Sequence, residues 1–181
     1  MRITNIKLHV TLKPTSCLKQ YQSALQCSQL QIRKRTNSFV TLKSNSFTYT
    51  CFYSGFVNIT GIKKRKNKKQ SVKILERLLN LERKSFTKPI VDNISSTWGK
   101  HKTLKQVNLL VILNIALKHC DIKTAKYNRE TFPALFLKTY NWGTILWYGS
   151  PAIVAVGSKS KKEVKQLDSV IKSILNHVSL L

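Results

Sequence analysis

Residues 38–61 read SFVTLKSNSFTYTCFYSGFVNITG, and this stretch decides the fold. It is dense in Phe, Tyr, Thr, Val and Ile, and two breaks, Asn45-Ser46 and Ser54-Gly55, divide it into FVTLKS, FTYTCFY and FVNITG. Aromatic and β-branched runs of this length, bounded by turn residues, predict a meander of three antiparallel strands. Side chains alternate between the faces of a strand. Both kinds of position nevertheless carry large or β-branched groups, among them Phe39, Thr41, Phe47, Tyr49, Phe52, Phe56 and Thr60. A sandwich core is one reading. Too few strands remain for a second sheet, which favours a sheet covered by helices on one face and left open, Thr-rich and apolar, on the other.

Upstream, ITNIKLHVTL (3–12) reads as a strand and SCLKQYQSALQ (16–26) as a short helix-compatible stretch. Downstream, the run KKRKNKK (63–69) leads into an amphipathic helix with Val72, Leu75, Leu78, Leu79 and Glu82 at helical spacing. Pro89 marks a break after ERKSFTKP (82–89). The same order then recurs. PIVDNISSTW (89–98) is strand-like, LKQVNLLVILNIALKH (104–119) is helical, and FPALFLKT, GTILWYG and PAIVAVG (132–157) form a second meander. Val164, Leu167, Ile171, Ile174 and Val178 place one apolar stripe on a closing helix.

Laid over each other, the halves match Asn5 with Asn93, Phe39 with Phe132 and Gly61 with Gly157, at offsets of 88, 93 and 96 residues. A drifting offset is the mark of a duplication with altered loops. The chain therefore divides into a first repeat (1–84), a linker (85–88) and a second repeat (89–181). One repeat is small for a core of its own. The expected fold class is α+β: two pseudo-symmetric repeats forming one antiparallel sheet with helices on one face.

Charge limits the function. Thirty-two Lys and Arg face 7 Asp and Glu among 181 residues, a formal +25. The acids are scattered, with no pair spaced for acid–base hydrolysis or for a metal, so neither an enzyme nor a metal or other cofactor is expected. Cys17, Cys27, Cys51 and Cys120 lack the spacing of a zinc site or a disulfide framework. The amino-terminal stretch has no signal-peptide core, and the longest apolar run, 107–117, is too short to span a bilayer. A soluble intracellular protein with a polyanionic partner, most simply nucleic acid, is the expectation. A basic RNA-binding or ribosomal-type protein explains the charge equally well.

Five strings resemble the TATA-box-binding protein family over nearly the whole chain. TNIKLHV and VDNISST resemble the family's first-strand "QNIVSTV", and ETFPALFLK resembles "ELFPGLIYR". FYSGFVNITGIK (52–63) has the spacing of "FxSGKxxxTGxK", and YGSPAIVAVGSK (148–159) keeps its length. The resemblance implies a saddle: one curved antiparallel sheet with helices on the convex face. It also implies a non-enzymatic factor that binds the minor groove of A/T-rich promoter DNA, bends it and seeds transcription initiation. The family is the established example of that mechanism, which is inherited here.

Several residues take roles on the same ground. Asn5 and Asn93 match the central donors, which the minor groove's N3 and O2 acceptors require. The kinking wedges fall on Phe39, Phe52, Phe132 and Tyr148, with Trp147 as the alternative to Tyr148 after a one-residue slip. Thr60, Val154 and Val156 match the groove-floor positions. Lys63, Lys138 and Lys159 match phosphate-binding basic residues. Asn58, Lys7 and Ser95 stand where the family has Val, and Ala152 where it has Lys. These departures imply either broader sequence choice or greater reliance on phosphate contacts. Glu130 matches a glutamate that contacts the B-type general transcription factor, with Asn128 at its companion position. That factor and the RNA polymerase machinery are the implied partners. The departures suit a divergent parasite or viral member, acting in the nucleus or a viral transcription compartment.

Overall fold

In a computed structural model the described residues are 1–27, 31–44, 46–98, 108–148 and 152–178. They form ten strands and four α-helices, and every strand pairing described is antiparallel. The chain divides into two compact units, Asn5–Asp92 and Asn93–Leu181 with Met1–Thr4.

The first unit holds most of β1 (Arg2–Thr11), then α1 (Leu18–Gln26), β2 (Ile32–Arg35), β3 (Phe39–Lys43), β4 (Thr48–Phe52), β5 (Phe56–Ile62) and α2 (Lys68–Leu78). Its sheet order is β2-β3-β4-β5-β1. Strand alternation sends Ile6, Leu8, Val10, Val40, Leu42, Tyr49, Cys51, Val57 and Ile59 into the core. The helices cover that face: Tyr21 of α1 donates its hydroxyl to the Phe52 carbonyl (2.9 Å), and Tyr49 donates to the Ser71 carbonyl of α2 (3.0 Å). Burial raises both phenols and pushes the Cys51 thiol up to about 12.

The second unit holds most of β6 (Ile90–Trp98), then α3 (Leu109–His119), β7 (Ile122–Lys126), β8 (Ala134–Thr139), β9 (Thr144–Tyr148), β10 (Ile153–Ser158) and α4 (Lys161–Val178). Its order is β6-β10-β9-β8-β7. Leu135, Leu137, Ile145, Trp147, Ile153 and Ala155 of the sheet pack on Ile112, Ile115 and Ala116 of α3 and on Leu167, Ile171 and Ile174 of α4. Asn108 caps α3 by accepting from the Leu110 N–H at 3.0 Å. Ser160 caps α4, and the Glu163 carboxylate reaches back past it to the Lys159 N–H. The Glu163 N–H donates to Ser160 Oγ (3.1 Å) and the Lys159 N–H to Glu163 Oε2 (2.7 Å).

The fold is thus the expected antiparallel α+β class, with helices on one face of each unit's sheet. Three details differ from the sequence reading. Strands β2 (IRKR) and β7 (IKTAK) join each meander at its edge. They are too charged to show an apolar alternation, as suits edge strands. Helix α2 stops at Leu78, because Asn80 turns to φ 47. Leu78 is therefore exposed and Glu82 lies beyond the helix, while Ser71 and Glu76 join the buried face. The predicted 104–119 helix begins at Leu109; residues 104–107 lie outside the described residues, as do Asn45 of the predicted turn and 149–151 of the second meander.

Candidate nucleic-acid interface

Among the described residues the sheet face opposite the helices is uncovered in each unit, and register fixes what it displays. In the first unit His9, Asn58, Thr50 and Thr41 form one row, each the Cα partner of the next. Thr60 and Thr48 pair in a second row, and Phe39 and Phe52 pair where β3 meets β4. The aromatic rings continue as a chain. Phe39 and Phe52 have centroids 5.6 Å apart, Phe52 and Phe56 5.9 Å, and Phe56 stacks on His9 at 5.2 Å. Lys34 Nζ lies 5.8 Å from the Phe39 ring centre. His9 Nδ1 meets Asp92 Oδ1 at 2.5 Å.

The second unit repeats the plan with different side chains. Thr97, Val154, Leu146 and Phe136 form its middle row, and Val156, Thr144 and Lys138 the next. Tyr148 lies on this face, whereas Trp147 points the other way and is only 1% exposed. The one-residue slip is therefore not taken, because Trp147 fills the core. Phe132 precedes β8 and is 40% exposed, its ring 6.3 Å from Tyr148 and 6.4 Å from Phe136. Ala134, not Phe132, is the Cα partner of Tyr148. Phe39 is paired within its strand, so the two matched phenylalanines reach their partners differently.

One constellation is the same in both units. The Gly61 N–H donates to Asn5 Oδ1 at 2.9 Å, and the Gly157 N–H donates to Asn93 Oδ1 at 2.6 Å. These glycines have φ +87 and +91, a conformation side chains resist. A Cβ on Gly61 would sit 2.7 Å from the Ser46 carbonyl oxygen. The register slips nearby, between Ile6 and Leu8 and between Ala155 and Ser158. With its oxygen committed to the glycine, each asparagine keeps an NH2 to donate.

Lys63, Lys138 and Lys159 are exposed, Lys138 on the open face itself and the other two directly after β5 and β10. Thr60, Val154 and Val156 are half-buried on the open faces. Glu130 is exposed in the loop before Phe132, its N–H donating to Asn128 Oδ1 at 3.0 Å. Asp168 is taken up by α4 and its neighbours. It accepts from the Trp98 indole (2.6 Å) and pairs with Lys172 (3.1 Å) and the chain's amino terminus (3.5 Å). Burial pushes its carboxyl up, but these donors outweigh that and hold it below the ordinary carboxylate range. The described residues contain no cluster of three His, Cys, Asp or Glu able to hold a metal.

Sequence reasoning did not assign Phe136, Leu146, Thr41, Thr48 or Thr50 to the interface. Counting two-residue steps along the strands from Phe39, Phe52, Lys138 and Tyr148 would have found them. The His9–Asp92 pair, 83 residues apart, left no sequence signal.

Known proteins resemble the chain across its length. The TATA-box-binding protein of Thermoplasma acidophilum is 25% identical over 183 residues, covering 99% of this chain and 96% of its own. That of Picrophilus torridus is 24% identical with the same coverage. The solved structure of Methanococcus jannaschii TBP aligns with TM-score 0.66 at 17% identity, over 97% of this chain and 98% of its own. No family model matches the sequence. In sequence and in fold, the chain is thus similar to the TATA-box-binding proteins over nearly its whole length, at the low identity of a divergent relative.

Proposed function

We propose that the chain binds duplex DNA through the minor groove, bends it, and serves as a transcription initiation factor. The observation that carries this reading is a pattern repeated on each open sheet face, an Asn–Gly lock at one end of a strand pair and an aromatic pair toward the other end: Asn5–Gly61 with Phe39 and Phe52, and Asn93–Gly157 with Phe132 and Tyr148. The free NH2 of each asparagine suits the groove's N3 and O2 acceptors, which A·T and T·A pairs present alike. The aromatic pairs act as wedges between base steps, where unstacking costs about a few kcal/mol per step and is offset by wider contact with the bent duplex. Thr60, Val154 and Val156 follow the groove floor. Lys63, Lys138 and Lys159 neutralise phosphates.

Glu130, exposed before Phe132, offers an acidic contact to a B-type general transcription factor and through it to RNA polymerase. The factor works where such a polymerase transcribes, a nucleus or a viral compartment. No catalytic step belongs to this function. Competition binding tests it: an A/T-rich duplex is titrated against single-stranded RNA, with Phe52→Ala and Phe132→Ala beside the unaltered protein. The expected result is duplex preference, weakened about tenfold or more by each variant through lost wedge contacts. Equal displacement by RNA, with both variants unchanged, would favour a general basic RNA binder.

A further inference from the structure

The two open faces share a register but differ in polarity. The first unit's middle row, His9, Asn58, Thr50 and Thr41, is polar throughout. The second unit's, Thr97, Val154, Leu146 and Phe136, is largely hydrocarbon. Asn58 and Val154 hold the same place, each three residues before the glycine locked by its repeat's asparagine.

Asn58 Oδ1 is buried and has no hydrogen-bond partner among the described residues. Its row neighbour does not supply one through Nδ1, because that nitrogen faces Asp92. An acceptor without a donor is a cost that the valine at the matching position avoids. Turning the carboxamide breaks no hydrogen bond through this oxygen, and the residue's place on the open face lets the oxygen be presented to a groove there. In the minor groove the base-edge donor is the 2-amino group of guanine, which A·T pairs lack. A hydrocarbon opposite that amino group leaves its N–H unpaired, and an amide oxygen satisfies it.

We propose that Asn58 is a specificity-determining residue that admits a G·C pair by accepting a hydrogen bond from the guanine 2-amino group, while Val154 confines the second repeat to A·T. The inference rests on the minor-groove reading above and adds a direction to it: G·C is tolerated on one side of the site only.

The test is a scan of one A/T-rich duplex. Single G·C pairs are placed at each position, alongside I·C pairs, which lack the amino group, and 2,6-diaminopurine·T pairs, which add it. In one half-site the amino group should leave affinity within about threefold, and at related positions in the other half it should cost about tenfold, the scale of one unmade hydrogen bond. Read relative to each variant's own all-A·T affinity, Asn58→Val should bring the tenfold penalty to the tolerant half, and Val154→Asn should relieve it in the other half. Equal amino-group penalties in both halves of the unaltered protein's site would overturn the inference, as would an unchanged pattern in both variants. The duplex scan of the unaltered protein needs no variant to fold. Failure to bind the all-A·T duplex would overturn the groove reading itself, and is distinct from binding it without asymmetry.

Discussion

Asn5 and Asn93 each carry two demands on one amide. The oxygen holds a glycine N–H, and the NH2 is left as the donor that the proposed groove contact requires. Aspartate separates the two, since it keeps the acceptor and loses the donor. Asn5→Asp should therefore melt close to the unaltered protein, whereas Asn5→Ala should lose about 1 kcal/mol through the orphaned Gly61 N–H. Both should weaken duplex binding about tenfold, which filter binding and thermal melts would separate. Matching affinities for Asn5→Asp and the unaltered protein would remove the donor role. The cysteines provide a second test at this scale. Cys17 and Cys27 are exposed, whereas Cys51 is buried with its thiol pushed up to about 12. A thiol reagent at neutral pH should label the first two in the native protein and Cys51 only after denaturation. The asparagines were legible as a repeated residue; their bonds to glycines 56 and 64 residues away were not, because nothing local encodes them.

At the scale of elements, legibility followed apolar patterning. Strands β3, β4, β5, β8, β9 and β10 bury alternate residues and could be read directly. Strands β2 and β7 lie at the edges and spend their side chains on solvent, so no period marks them. Helix α2 shows a different limit. Its apolar spacing runs on through Leu79, but the backbone at Asn80 turns left-handed, and periodicity alone does not see a stop. Helix α4 is anchored through Asp168, whose carboxyl is held below its ordinary value chiefly by Lys172 and the Trp98 indole against the opposing effect of burial. A depressed carboxylate contributes stability that is present above its unfolded value and lost as pH falls through its folded value. The stability of the unaltered protein should therefore fall more steeply than that of Asp168→Asn below about pH 4. Denaturant melts across that range check it. Parallel curves for the two proteins would mean that Asp168 contributes no pH-dependent anchoring.

For the whole molecule, the formal +25 gave only the sign of the partner, and the repeat gave the rest. The resemblance was legible because five strings match, four of them as two pairs of copies. Which face each side chain takes needed the register. Trp147 and Tyr148 are equally aromatic in the sequence, and only core packing separates them. The charge nevertheless exceeds what three assigned lysines need. Duplex affinity should fall steeply with salt, and removing Lys63, Lys138 and Lys159 together should reduce the slope of log K against log salt by about 3, near 0.9 per phosphate contact. An unchanged slope would place the phosphate contacts elsewhere. The central claim is that two aromatic pairs on open sheet faces kink the groove. Fluorescence energy transfer between the ends of an A/T-rich duplex measures it most directly. The ends should approach on binding, and the Phe52→Ala/Phe132→Ala double variant should leave them apart at saturating protein; ends that stay apart with the unaltered protein bound, or that approach equally with the double variant, would contradict it.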